Sequence, residues 1–167
     1  AVRFNTGSAP TTVNVGGTAV ALAAGKFLQA EITGAELVVE GTTLTAERLT
    51  FAQNADVVEA TGTNIDIAIA VGTKQLVSID DAGFGARFTS AGLAGATAGG
   101  TVVVATDFGV EISGEISVAV NTTTDATSIT LDAQTVDLLA GPYARIEVAN
   151  AVLGIAGVEL TADRVAF

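Results

Sequence analysis

Apolar and polar residues alternate over short stretches along nearly the whole chain. The segment Asn64 to Val71, NIDIAIAV, sets Ile65, Ile67 and Ile69 on one face and is followed by Gly72. An alternation of period two is the mark of a half-buried strand. Ala1 to Thr6 reads as extended, Gly7 to Pro10 as a break, and Thr11 to Val15 as a strand that turns at Gly16-Gly17. Farther on the parity switches repeatedly. Ala35, Leu37 and Val39 point inward at odd numbers, Gly41 turns, Leu44 and Ala46 point inward at even numbers, and Leu49 with Phe51 returns to odd. This pattern predicts a succession of short strands, about five to seven residues each, separated by tight corners. Gly34 and Asn150 are expected to close strands. Asp80 to Gly83 is expected to be a turn between strands Lys74 to Ile79 and Phe84 to Thr89, and Gly92, Gly95, Gly99 and Gly100 a run of corners.

One stretch, TAVALAAGKFLQ from Thr18 to Gln29, is rich enough in Ala to read as a helix. An internal repeat decides against that. Phe27 to Phe51 matches Tyr143 to Phe167 without a gap at an offset of 116, placing Glu31 on Glu147, Leu37 on Leu153, Gly41 on Gly157, Arg48 on Arg164 and Phe51 on Phe167. The same offset carries upstream to Asn5-Thr6 on Asn121-Thr122, Val13 on Ile129, Val20 on Val136 and Ala24-Gly25 on Ala140-Gly141. The aligned copy of the Ala-rich stretch, TVDLLAGPYARI, holds Gly141-Pro142, which would break a helix interior. Strand, turn, strand is the reading that suits both copies.

Residues 1–51 therefore correspond to 117–167, and 52–116 complete the period with no second copy and no globular domain boundary. Since 116 + 51 = 167, the chain reads as an excerpt from a tandem array whose open end a following repeat or another subunit would cover. A fainter echo lies inside the period, with Glu31 to Gly34 (EITG) recurring as Glu111 to Gly114 (EISG). Subsidiary repeats suit stacked coils, so the expected fold is all-β, an elongated β-solenoid or stacked-coil unit, with a tandem β-sandwich as the alternative.

Composition narrows the chemistry. Hydrophobic residues make up 49% of the chain but aromatic ones 5%, so thin layers of Ala, Val, Leu and Ile are favoured over a core with large anchors. Cys and His are both absent, which removes disulfides, thiolate metal sites and the commonest general base. The formal net charge of −11 offers no footprint for nucleic acid. No apolar run approaches the roughly 20 residues of a membrane-spanning helix. No catalytic signature is present and an enzyme is not expected.

The remaining candidates are acidic or paired. Asp80-Asp81 in SIDDAGFG is the best candidate for calcium, which takes hard oxygen donors, but reads more readily as a solvated turn in which Asp satisfies its own backbone. Asp125, Asp132 and Asp137 fall opposite Ala9, Gly16 and Ala21 and do not repeat. Glu31 with Arg48, repeated as Glu147 with Arg164, is either a cross-strand ion pair that fixes register or two exposed side chains contributing well under about 1 kcal/mol. Asp66 and Glu111 would serve a paired-carboxylate hydrolase only if they converged. Asn121-Thr122-Thr123 satisfies the glycosylation sequon, while Asn5-Thr6-Gly7 does not. No catalytic, cofactor-binding or metal residue is assigned.

Leu139 to Phe167, with GFGARFTSAGLAGA (Gly83 to Ala96) and EISVAVNTT (Glu115 to Thr123), resembles the long tandem repeats of very large secreted or surface proteins of bacteria. The shared marks are the turn Ala140-Gly141-Pro142-Tyr143, the corner Gly157-Val158-Glu159-Leu160 and the closing Phe167; the first copy has Lys26-Phe27 in place of Pro142-Tyr143. The resemblance implies an extracellular array with a structural or adhesive role. A more local likeness links VVEGTTLTAERLTF and GIAGVELTADRVAF to rungs of the β-taco proteins that shield lipid chains on their way to the bacterial outer membrane. The expectation is a secreted or cell-surface structural repeat that forms or extends a filament by end-to-end β-stacking with neighbouring repeats or identical subunits. The alternatives are an adhesin module for glycan or Ca²⁺ and a lipid conduit.

Overall fold

A computed structural model describes residues 1–39, 42–72, 74–104, 110–131, 134–155 and 157–167. The described chain is all-β. In order it forms β1 (Val2–Asn5), β2 (Thr11–Val15), β3 (Thr18–Leu22), β4 (Phe27–Val39), β5 (Thr42–Asn54), β6 (Val57–Val71), β7 (Lys74–Thr89), β8 (Gly92–Val104), β9 (Val110–Asn121), β10 (Thr127–Leu131), β11 (Gln134–Leu138), β12 (Tyr143–Ile155) and β13 (Val158–Ala166). One antiparallel sheet takes the order β1-β4-β5-β6-β7-β8-β9-β12-β13, and β2-β3 and β10-β11 are separate hairpins. The sheet does not close into a barrel, so β1 and β13 are its two edges.

Thr18 to Gln29 is strand, turn and strand, with β3 ending at Leu22 and β4 beginning at Phe27. Gly16 and Gly17 form the tip of the β2-β3 hairpin between the Val15–Thr18 pair, at φ of 57° and 83°. Two successive positive φ values are what a two-residue hairpin turn demands, and glycine meets them without steric cost. Gly41 and Asp132 lie outside the described residues.

The long strands correct the expectation of many short ones. Gly34 does not close a strand: it lies inside the thirteen residues of β4 at φ 61°, and its counterpart Asn150 lies inside β12 at φ 50°. Asp80 to Gly83 is likewise inside β7, with Asp81 at φ 59°, and Gly99 inside β8 has φ 78°. Asn64 in β6 has φ 47°. These residues form a row of ladder interruptions running across the sheet. Thr33 pairs with Arg48 and Ala35 with Ala46, skipping Gly34 and Glu47; Arg48 pairs with Thr63 and Ala46 with Ile65, skipping Asn64. Beyond them the register slips between Gly62 and Ile65, between Thr97 and Gly100, and between Ala149 and Val152. A single left-handed residue kinks a strand and lets alternation resume with the opposite parity. The parity switch between Ala46 and Leu49 is one of these kinks, and β5 continues through it, whereas the switch between Val39 and Leu44 falls between β4 and β5. The EITG and EISG echo has the same origin, since Gly34 and Gly114 both stand at the interruption.

Two clusters of buried residues lie on the sheet. One centres on Ala46, Ile65 and Ala82, with Leu44, Leu49, Ile67 and Phe84 packed against it. The other joins Ala94, Ala96 and Ala119 of the sheet to Ile129, Leu131 and Leu138 of the β10-β11 hairpin. In the second cluster the sheet side is thin, because Ala94, Ala96 and Ala119 contribute only methyl groups. Phe51, expected to point inward, is 43% exposed.

Candidate functional site

The repeat is reproduced strand by strand. Adding 116 to the bounds of β2, β3 and β4 gives those of β10, β11 and β12, and β1 falls on the last four residues of β9. Each copy thus leaves the sheet after the same residue, makes a hairpin and returns to the sheet.

An asparagine holds each hairpin at its root. Asn121 Nδ2 donates to the carbonyls of Asp125 (2.9 Å) and Leu139 (2.7 Å), while its Oδ1 accepts from Thr123 N–H at 2.9 Å. Asn5 Nδ2 donates to Ala9 O (3.1 Å) and Ala23 O (2.6 Å), and its Oδ1 accepts from Gly7 N–H at 2.8 Å. The amide ties the outgoing chain to the returning one, and a backbone bond closes each root, Gly141 N–H to Thr123 O and Gly25 N–H to Gly7 O. Gly141 is required by close approach, because a Cβ there would collide with the Asn121 carbonyl oxygen. Gly25 meets no such obstacle and is required by its φ of 90°.

The two hairpins differ in what covers them. The β10-β11 hairpin lies over β7 and β8, with Ile129, Leu131 and Leu138 each no more than 5% exposed. The floor beneath it is stripped of side chains: a Cβ on Gly85 would stand 2.6 Å from Ile129 Cγ2 and 2.7 Å from Leu131 Cδ2. The β2-β3 hairpin carries the matching residues Val13 and Val15, which are 45% and 63% exposed. Together with Val2, Phe4, Val20 and Leu22 they line an open groove between the hairpin and the sheet edge. The difference follows from topology, since β9 has β8 beside it and, among the described residues, β1 has no strand on that side. At the other edge Leu160 of β13 is 66% exposed, whereas its counterpart Leu44 is half-buried where β6 adjoins β5.

The residues singled out in the sequence are spread over the sheet. Asp66 Oδ1 accepts from Asp81 N–H at 2.9 Å, and its Oδ2 accepts from Thr45 Oγ1 at 3.1 Å. Asp80 Oδ2 accepts from Ser78 Oγ at 3.3 Å. Asp80-Asp81 is therefore an exposed kink within a strand, with the Asp81 N–H held by a neighbouring carboxylate, and not a turn between strands. Asp66 and Glu111 lie on β6 and β9, three strand steps apart, which is about 14 Å at the usual strand spacing, too far for a carboxylate pair. Asp137 belongs to β11, Asp125 to the loop between β9 and β10, and Asp132 lies outside the described residues; Ser128 Oγ donates to Asp137 at 2.7 Å. Among the described residues no three carboxylates converge on a point that could hold a metal ion.

Glu147 and Arg164 form an ion pair at 3.0 Å, with the Glu side chain 20% exposed and the Arg 57%. Their counterparts Glu31 and Arg48 line one shallow groove with Thr33, Glu47 and Thr63. A pair that sequence reading missed joins Arg87 to Glu59 through two hydrogen bonds to one carboxylate oxygen, at 2.8 and 3.0 Å. Asn121 was also missed as a structural residue, though its recurrence as Asn5 before each hairpin was visible. Fully buried at 0% exposure, its amide is not open to a glycosylating enzyme in the folded chain.

No protein family, curated protein or solved structure matches the chain. Among the described residues no helix is long and apolar enough to cross a membrane.

Proposed function

We propose that this chain is a structural repeat of an extracellular fibre or stalk, growing end to end by β-strand addition in an elongated array of solenoid type. One observation carries the reading: the repeated strands keep their bounds at an offset of 116, and each sheet edge of the chain has a twin elsewhere in it that is already paired. The edge β13 matches β5, which continues into β6; the edge β1 matches the end of β9, which follows β8. Open edges on a long sheet are pairing templates, and proteins that remain monomeric cover or disrupt them. Here strands of up to sixteen residues stack without a closing element. The partners in this reading are neighbouring repeats or identical subunits, the location is the cell surface or beyond it, and the work is mechanical, without catalysis or cofactor.

In such an array stability comes from nearest-neighbour interfaces as well as from each repeat. Chains of one, two and three added periods should therefore unfold at successively higher denaturant concentration, levelling off as the ends become a small fraction of the whole. A midpoint unchanged by repeat number would count against the reading.

A further inference from the structure

We infer that the apolar face of the β2-β3 hairpin and the free edge of β1 form one docking site, whose occupant is a further copy of the β7-β8 pair. The inference rests on the array reading and names the contact on which it would depend. The twin of this site is already filled within the chain. There β8 pairs with β9 through Ala94–Asn121, Gly95–Val120, Ala96–Ala119 and Thr97–Val118. Subtracting 116 from the β9 partners sets the incoming strand's Ala94, Gly95, Ala96 and Thr97 against Asn5, Phe4, Arg3 and Val2. Thr122 closes the filled site: its N–H donates to Leu93 O at 2.8 Å and its Oγ1 accepts from Leu93 N–H at 2.8 Å. Thr6 stands in its place at the open site.

The hairpin limits the occupant to that pair. Ile129 and Leu131 reach the sheet because the two strands below them have no side chain at Gly85 of β7 and only methyl groups at Ala94 and Ala96 of β8. Val13 and Val15 are the equivalents and need the same bare floor. An ordinary edge strand would lift the hairpin, since even a Cβ at position 85 falls inside contact distance. A whole second chain presenting β13 does not supply it: β13 carries Leu160, Thr161 and Arg164 and no run of Gly and Ala like that of β7 and β8, and its twin β5 takes β6 as its neighbour.

The test joins an added copy of residues 52–116 ahead of Ala1 and compares hydrogen exchange with the 167-residue chain. Amides of β1 and of the β2-β3 hairpin should exchange at least about 100-fold more slowly in the extended chain, as local opening gives way to opening of the shared unit. Val15→Glu should leave exchange and stability of the 167-residue chain unchanged yet abolish most of that added protection. Gly85→Leu confined to the added copy should do the same and leave β10-β11 unaffected. The inference is overturned if the added segment folds without slowing β1 and β2-β3, or if Val15→Glu behaves alike in both chains. It is equally overturned if protection of β1 in the 167-residue chain rises with its own concentration, or if a fluorescent fatty acid bound there stays bound in the extended chain. Exchange reads the docking alone, whereas array growth is read by the length of longer chains, so either idea can fail without the other.

Discussion

Asn5 and Asn121, 116 positions apart, make the same three hydrogen bonds at the roots of two hairpins, each to the residue the repeat assigns it. Their surroundings differ. Asn121 is wholly buried, while the bonds of Asn5 lie in contact with solvent. Water can replace a lost partner at Asn5 and not at Asn121. Asn121→Ala should therefore cost about 3 kcal/mol and Asn5→Ala about 1 kcal/mol or less. Denaturant unfolding of the two variants measures both, and equal losses would refute the assignment of burial as the cause.

Leu131 and Val15 occupy the same place in the two hairpins, one 4% exposed and the other 63%. Leu131→Ala should destabilise by about 2–4 kcal/mol, since its removal leaves a cavity over Gly85. Val15→Ala should change stability by less than about 0.5 kcal/mol, as for most exposed substitutions.

Gly85→Ala tests the bare floor from the opposite side. Its Cβ would meet the branched Cγ2 methyl of Ile129 at 2.6 Å, Cδ2 of Leu131 at 2.7 Å and the Thr130 carbonyl oxygen at 3.3 Å. The Leu131 end can turn aside but the β-branched methyl and the carbonyl cannot, so an overpacking loss of about 1–3 kcal/mol is expected. Faster exchange should be confined to β10-β11.

Asp66→Ala removes the acceptor for Asp81 N–H and Thr45 Oγ1 at the kink in β7. A loss of about 1–2 kcal/mol is expected, with Asp66→Asn recovering part of it through the remaining carbonyl oxygen. Because this carboxylate is engaged with the backbone, millimolar Ca²⁺ should leave the melting temperature unchanged. A calcium-dependent rise would revive Asp80-Asp81 as an ion site.

Asn150 sits at φ 50° where Gly34 holds the same position in the first copy. Asn150→Gly should be neutral within about 0.5 kcal/mol, while Asn150→Val should cost about 1–2 kcal/mol, because a β-branched residue resists the left-handed region. Circular dichroism melts of the two variants separate these outcomes.

Alternation at Asn64 to Val71, the turn at Gly16-Gly17 and the repeat were all plain in the sequence, and with them the all-β class and the strand Thr11 to Val15. The length of the strands was not. A Gly or Asp-Asp that kinks a strand has the same local signature as one that ends it, and only pairing on both sides, as of Gly83 with Ala98 and Asp80 with Thr101, distinguishes the two. Nor could alternation tell that β2 and β3 leave the main sheet, since a strand's period is indifferent to which sheet it joins. The contrast between Val15 and Leu131 depends on a neighbouring strand, which no local pattern encodes.

Growth of the array is tested most directly by small-angle scattering from chains of one, two and three added periods. Six strand steps separate β4 from its copy β12, so each period should lengthen the particle by up to about 29 Å at ~4.8 Å per strand, with an unchanged cross-section. Equal increments at constant cross-section are the predicted result; a particle that thickens instead, scaling as a compact globule, would contradict end-to-end growth.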